Sequence, residues 1–147
     1  MDMAKVAIAS DHAGVDLKRA LKRVLAEDGH DVIDLGTDGA SSVDYPDFGY
    51  AMARAIREGR AARGVLVCGT GIGISMAANR HADIRAALVC DAKGAEMARR
   101  HNDANVICFG GRTIDPVVAG ECLRLFLVTG FEGGRHATRV EKLSNPE

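Results

Sequence analysis

Residues 65–80 read VLVCGTGIGISMAANR, and how this stretch is read decides the fold. An apolar run ends in Cys68, Gly69, Gly71 and Gly73 fall at alternate positions, and a segment of helical character follows. A buried strand, a tight turn and a helix in that order is the repeating unit of parallel α/β sheets. Four more apolar runs flank this one: KVAIAS (5–10), DVIDLG (31–36), RAALVC (85–90) and NVICFGG (105–111), with the third strand itself spanning GVLVCG (64–69). None alternates apolar with polar residues, which implies burial on both faces.

The segments between the strands have helical spacing. From Gly14 to Asp28, Leu17, Leu21, Val24 and Leu25 share one face, Lys18, Arg19, Lys22 and Arg23 lie off it, and Gly29 stops the run. A polar loop, TDGASSVDYPD, precedes a helix from Phe48 to Glu58. Further helices are expected over Ile72–Asn79, Ala92–Arg100 and Ile114–Val128, the last with Pro116 in its first turn, where a missing N–H costs little. The polar tail from 131 to 147 carries a short final helix. Strand–helix alternation without linker or repeat predicts one doubly wound, Rossmann-like α/β domain over residues 1–147. Its five-stranded parallel sheet has helices on both faces. Ligands in such sheets bind at the carboxyl ends of the strands. Asp11, His12, the glycine turn, Asp91 and Gly110–Arg112 all follow strands at that edge.

The chain has 147 residues, 47% hydrophobic and 27% charged, which suits one soluble core. A net charge of -1 gives no bulk attraction to nucleic acid or to an anionic membrane. No apolar run spans a bilayer and no signal-peptide pattern opens the chain, so a cytoplasmic location is expected. The four cysteines form no CxxC pair and no zinc spacing. Cys90, Cys108 and Cys122 read as small buried hydrophobes in a reducing compartment.

Glycine lets successive N–H groups point at one anion, so the turn is suited to negative charge. The phosphate-binding P-loop needs Lys-Ser or Lys-Thr after its last glycine, and here Ile74 and Ser75 follow. The dinucleotide fingerprint needs a glycine at 74 or 76, where Ile74 and Met76 stand. Asp91 lies about 20 residues downstream, where a ribose-binding acid is sought, but the spacing reads as coincidence, and nucleotide binding is kept only as a weak alternative. A thiol beside oriented N–H groups has its thiolate favoured, which makes Cys68 a base or a nucleophile. As a nucleophile it implies an oxyanion hole for acyl transfer; as a base on carbon it implies an enediolate held by the turn. The spacing leaves both open. Asp11 is equally suited to capping the first helix. Arg112, with Arg135 and Arg139 four apart in GGRHATR, would suit a phosphate if brought to one crevice. His30, His81 and His136 carry no signal.

Taken together, SDHAG (10–14), DYPDF (44–48), CGTGIGISMAANR (68–80), RRHNDANV (99–106), FGGR (109–112) and EGGRHATRVEKL (132–143) resemble the ribose-5-phosphate isomerase B family, which includes galactose-6-phosphate isomerase subunits. The resemblance runs from Lys5 to Leu143 and implies an aldose–ketose isomerase acting through a cis-enediolate, with no metal and no cofactor. It implies Cys68 as the base between C1 and C2, and the backbone of Gly69, Gly71, Ile72 and Gly73 as the anion hole. It implies His101 as the group that opens the furanose ring, assisted by Asp11 and Thr70. Tyr45 and Asn102 match positions near the sugar, and His12, Arg112, Arg135 and Arg139 match the phosphate side. It further implies a homodimer with shared active sites, or a tetramer built from it, and neither nucleic acid nor membrane as partner. Some members carry a Glu after the glycine loop in place of the cysteine; Ile74 puts this chain in the cysteine branch. The substrate expected is ribose 5-phosphate. A four-carbon ketose phosphate, allose 6-phosphate, galactose 6-phosphate and a non-catalytic sugar-phosphate sensor stand as alternatives.

Overall fold

In the computed structural model, which describes residues 5–146, β3 (Arg63–Cys68) is the middle strand of a parallel sheet. It pairs with β1 (Lys5–Ser10) on one side and β5 (Val106–Gly110) on the other. β2 (Asp31–Asp34) and β4 (Ala86–Leu88) close the edges, giving the order β2-β1-β3-β5-β4. The chain winds out from the middle in both directions, and that reversal makes the crevice between the carboxyl ends of β1 and β3 the place for a ligand.

Two apolar layers hold the sheet. On one face Val6, Ile8, Val65, Val67, Ile107 and Phe109 pack against α1 (Val15–Glu27), α4 (Ala92–Arg100) and α5 (Pro116–Val128). On the other, Ala7, Ala9, Leu66, Cys68, Val106 and Cys108 pack against α2 (Tyr45–Arg57) and α3 (Ile72–Ala78). Small residues dominate the second face, so those two helices sit close to the sheet. Leu21, Leu25, Leu123 and Phe126 are fully buried, and each contributes roughly 2 kcal/mol of apolar transfer. The tail ends in α6 (Arg135–Ser144), which is tied to the amino edge of the sheet by Arg85 Nη1 donating to Ser144 Oγ at 3.3 Å.

Several expectations are corrected. Only β1, β3 and β5 are buried on both faces; the edge strands are shorter than their apolar runs and partly open, with Leu88 46% exposed. α2 begins at Tyr45 rather than Phe48, because Pro46 fits the first turn of a helix and Asp47 suits its positive end. α5 begins at Pro116 because Asp115 caps it, accepting from Val117 N–H at 2.8 Å. Cys90 is exposed rather than buried, since it stands beyond the last residue of an edge strand.

Lys18 is the largest departure. It is 1% exposed, although its spacing put it off the apolar face of α1. Its ammonium reaches Asp34 Oδ1 at 2.7 Å and also donates to the Thr37 carbonyl. Lys22 takes Asp34 Oδ2 at 2.9 Å, and Gly36 N–H donates to Oδ1 at 2.9 Å. Burial alone would raise the Asp34 carboxyl, but the Lys18, Lys22 and Gly36 hydrogen bonds outweigh it and hold it below its usual value. A group depressed in this way adds stability above its unfolded value near ~4 and loses it as pH falls through its folded value. Lys18→Met is expected to cost about 1–3 kcal/mol at neutral pH, because Asp34 loses its buried partner. It should also flatten the fall in stability as pH drops below about 4, which urea unfolding at a series of acid pH values would measure.

Candidate active site

Cys68 is the last residue of β3 and is 4% exposed. Its Sγ accepts a hydrogen bond from Gly71 N–H at 3.2 Å, the kind of contact that a sulfur anion needs. The turn can deliver that N–H because Gly71 sits at φ 79°, in the left-handed region that glycine occupies without penalty. Thr70 Oγ1 accepts from Ile72 N–H at 3.2 Å and tightens the same turn. α3 is only seven residues long, so the local N–H groups, more than a helix dipole, supply the polarity here. Cys108 lies on the same face of the neighbouring strand, but burial, and then the nearby Cys68, push its thiol up. The deeper sulfur therefore stays protonated.

Other elements meet at this edge. Asp11 N–H donates to the Val67 carbonyl at 3.1 Å, Gly111 N–H to the Cys68 carbonyl at 2.8 Å and Arg112 N–H to the Gly69 carbonyl at 3.0 Å. These bonds lock the turns after β1 and β5 onto the turn after β3. The Arg112 guanidinium lies over Gly69, where a Cβ would come within 3.1 Å of Nη1. The Tyr45 ring lies over Gly73, where a Cβ would come within 2.5 Å of it. Asp11 is buried and caps the turn that follows, accepting from Ala13 N–H at 3.0 Å. His12 Nδ1 accepts from Val43 N–H at 3.1 Å, which leaves the ring proton on Nε2 as a donor. Asp11, His12, Tyr45, the 68–73 turn and Arg112 thus form one crevice.

His101, Asn102, Arg135 and Arg139 do not join it within one chain. α4 runs from the carboxyl end of β4 back toward the amino end of β5, so His101 and Asn102 just beyond it lie at the opposite edge of the sheet. The tail packs there too: Glu132 N–H donates to the Arg100 carbonyl at 3.0 Å. The His136 ring stacks on His101 with centroids 4.2 Å apart. Arg135 and Arg139 are exposed on α6, four residues apart. His136 is the residue that sequence reasoning misses. Its only signal is its place beside Arg135 in a tail whose contacts the sequence does not reveal.

A family model described as Ribose/Galactose Isomerase matches residues 6–143. The chain belongs to that isomerase family. The ribose-5-phosphate isomerase B of Escherichia coli K12 is 41% identical, over 97% of this chain and 95% of that one. The D-erythrulose-4-phosphate isomerase of Pectobacterium atrosepticum is 42% identical, over 96% and 93%. Among solved structures, the ribose-5-phosphate isomerase B of Clostridium thermocellum superposes with a TM-score of 0.95 at 46% identity, over 97% of this chain and 96% of that one. Among the described residues no helix is long and apolar enough to cross a membrane. Aldose–ketose exchange needs a base on carbon, and an acyl transfer does not.

Gly71→Ala puts a side chain at φ 79° and a Cβ 2.8 Å from the Phe109 carbonyl carbon, where only backbone could yield. It is expected to lower the unfolding free energy by about 1–3 kcal/mol in urea titration. It should lower turnover further than that loss explains, because the N–H aimed at Cys68 moves.

Proposed function

We propose that the chain interconverts ribose 5-phosphate and ribulose 5-phosphate in the cytoplasm through a cis-enediolate, with Cys68 as the base. The observation that carries this reading is the buried Cys68 sulfur receiving the Gly71 N–H in a turn overhung by Arg112 and Tyr45. Cys68 takes the proton from C2 of the open aldose and returns it to C1. Negative charge gathers on O1 and O2 as the proton leaves. The N–H groups of Gly69 and Gly73, joined by those of Gly71 and Ile72 as they turn from Cys68 Sγ and Thr70 Oγ1, bind that charge more tightly than the neutral sugar, which is where the rate gain arises. Thr70 and Asp11 exchange hydrogen bonds with the reacting hydroxyls, and Tyr45 walls the sugar. His12, through Nε2–H, and Arg112 hold the phosphate together with Arg135 and Arg139 supplied by a second copy of the chain. That remote grip orients C1 and C2 over the sulfur.

His101 opens the furanose ring and Asn102 supports the sugar, both from a second copy of the chain in a homodimer. The sheet topology supports this, because Cys68 and His101 sit at opposite edges of one chain and a second copy is needed to bring them together. The surface supports it too. Ile72, within the glycine turn, and Met76, just after it, are 47% and 65% exposed. A groove of about 440 Å³ beside Asn102, lined by Ile84, Ala86, Ala87 and Leu143 among others, offers apolar side chains a seat. A second substrate reading, D-erythrulose 4-phosphate, draws on the relative of that name, whose 42% identity matches the 41% of the E. coli enzyme.

Cys68→Ala is expected to lower kcat for ribose 5-phosphate by about 10³-fold or more with an unchanged thermal melt. Retained turnover would remove Cys68 as the base, and faster wild-type turnover of the four-carbon substrate would change the substrate assignment. Mixing inactive Cys68→Ala with inactive His101→Ala tests the shared site. Random exchange of subunits should restore about a quarter of wild-type sites, since half the dimers are mixed and each has one intact site. No recovery after subunit exchange would mean that each chain builds its own site.

A further inference from the structure

His136 lies outside every role assigned above, yet it is among the few buried polar residues of the chain. Its ring is 6% exposed and nearly parallel to that of His101, with an interplanar angle of 14° and centroids 4.2 Å apart. Its Nε2 is buried with no hydrogen-bond partner; the nearest carboxylate oxygen, Glu132 Oε1, is 3.7 Å away. A buried ring nitrogen without a partner is a cost, so the ring is kept there for something other than a hydrogen bond.

His101, Glu132 and His136 also form a cluster whose ligand atoms lie within 4.8 Å of one another. A metal is nevertheless a poor fit. Ring nitrogens bind an ion in the plane of the ring, and two nearly parallel rings cannot both aim a lone pair at one point. What parallel rings do well is fix each other's planes. Burial, and then the proximity of His101 and Arg135, hold the His136 imidazole below the usual histidine range; Glu132 opposes this and Arg139 adds to it. His136 thus stays neutral and leaves proton exchange to the partly exposed His101.

We infer that His136 is a positioning residue for His101, a stacked ring that fixes the His101 imidazole in the plane it needs to deliver a proton to the furanose oxygen. The inference rests on the reading of His101 as the ring-opening group. Its distinguishing mark is chemical: it matters only for a substrate that must be opened. Ribose 5-phosphate closes into a furanose, whereas D-erythrulose 4-phosphate, with its O4 blocked by phosphate, does not.

The test compares wild type, His136→Ala and His136→Phe on both substrates, with thermal melts to confirm folding. His136→Ala is expected to lower kcat for ribose 5-phosphate by about 10- to 100-fold with little change in KM. The loss on D-erythrulose 4-phosphate should be at least about ten-fold smaller. His136→Phe keeps a flat ring and should regain most of the ribose 5-phosphate rate. Equal losses on the two substrates, or a rise in KM on both, would overturn the inference and make His136 a mere support for α6 and its arginines. If wild type does not act on the four-carbon substrate, the Phe variant decides: recovery upholds the inference, and a rate as low as that of the Ala variant overturns it. A wild type without activity on ribose 5-phosphate would instead overturn the underlying reading of His101.

Discussion

Backbone touches backbone where three turns meet at the carboxyl edge of the sheet. A Cβ on Gly14 would come within 2.7 Å of the Val67 carbonyl, one on Gly111 within 2.9 Å of the Ala13 carbonyl, and one on Gly110 within 2.7 Å of the Thr70 carbonyl. Side chains at these positions would wedge the turns apart. With hydrogens there instead, the loops after β1, β3 and β5 pack as one body, and their N–H and carbonyl groups satisfy one another. Cys68, Asp11, His12 and Arg112 take their mutual positions from this contact. The apolar layers stabilise the sheet, but the close approach of the turns is what makes its edge a site.

Much of this was legible in the chain itself. The central strands announce themselves because burial on both faces favours apolar residues, and β1, β3 and β5 follow that rule apart from the buried Ser10 and the opening residues Lys5 and Arg63. The glycine turn is legible because alternate glycines at a strand end have few other uses. The edge strands mislead in the opposite way. RAALVC looks as buried as VLVC, yet only Ala86–Leu88 forms β4 and Cys90 stands exposed. Position in a sheet depends on neighbours that are distant in sequence, and no local pattern encodes it.

Long-range polar contacts were equally invisible. Lys18 reads as a solvated residue of an amphipathic helix, and only the approach of Asp34 and Thr37, contributed by β2 and the loop after it, explains its burial. His136 reads as a tail residue, and its stacking on His101 is set by how α6 folds back on the sheet. The arginines were legible as a set but not in space. Arg112 and the pair on α6 belong to opposite edges of one chain, a separation that follows from the direction of α4 and not from any motif.

The segment between β2 and α2 is tied to β1 by Thr37 N–H on the Ser10 carbonyl at 2.8 Å and by Ser10 N–H on the Gly36 carbonyl at 2.8 Å, and two side chains also hold it. Lys18 grips it at Thr37, and Val43 N–H closes on His12 Nδ1. The orientation of the His12 ring and the nitrogen that carries its proton are therefore properties of the loop as much as of the histidine. Whatever meets His12 Nε2–H meets it at full strength only in the fraction of molecules whose loop is seated, so the local opening free energy of residues 37–43 enters the apparent dissociation constant directly. A buried lysine on α1 that grips one end of that loop is thereby coupled to the seating of the His12 ring at the other.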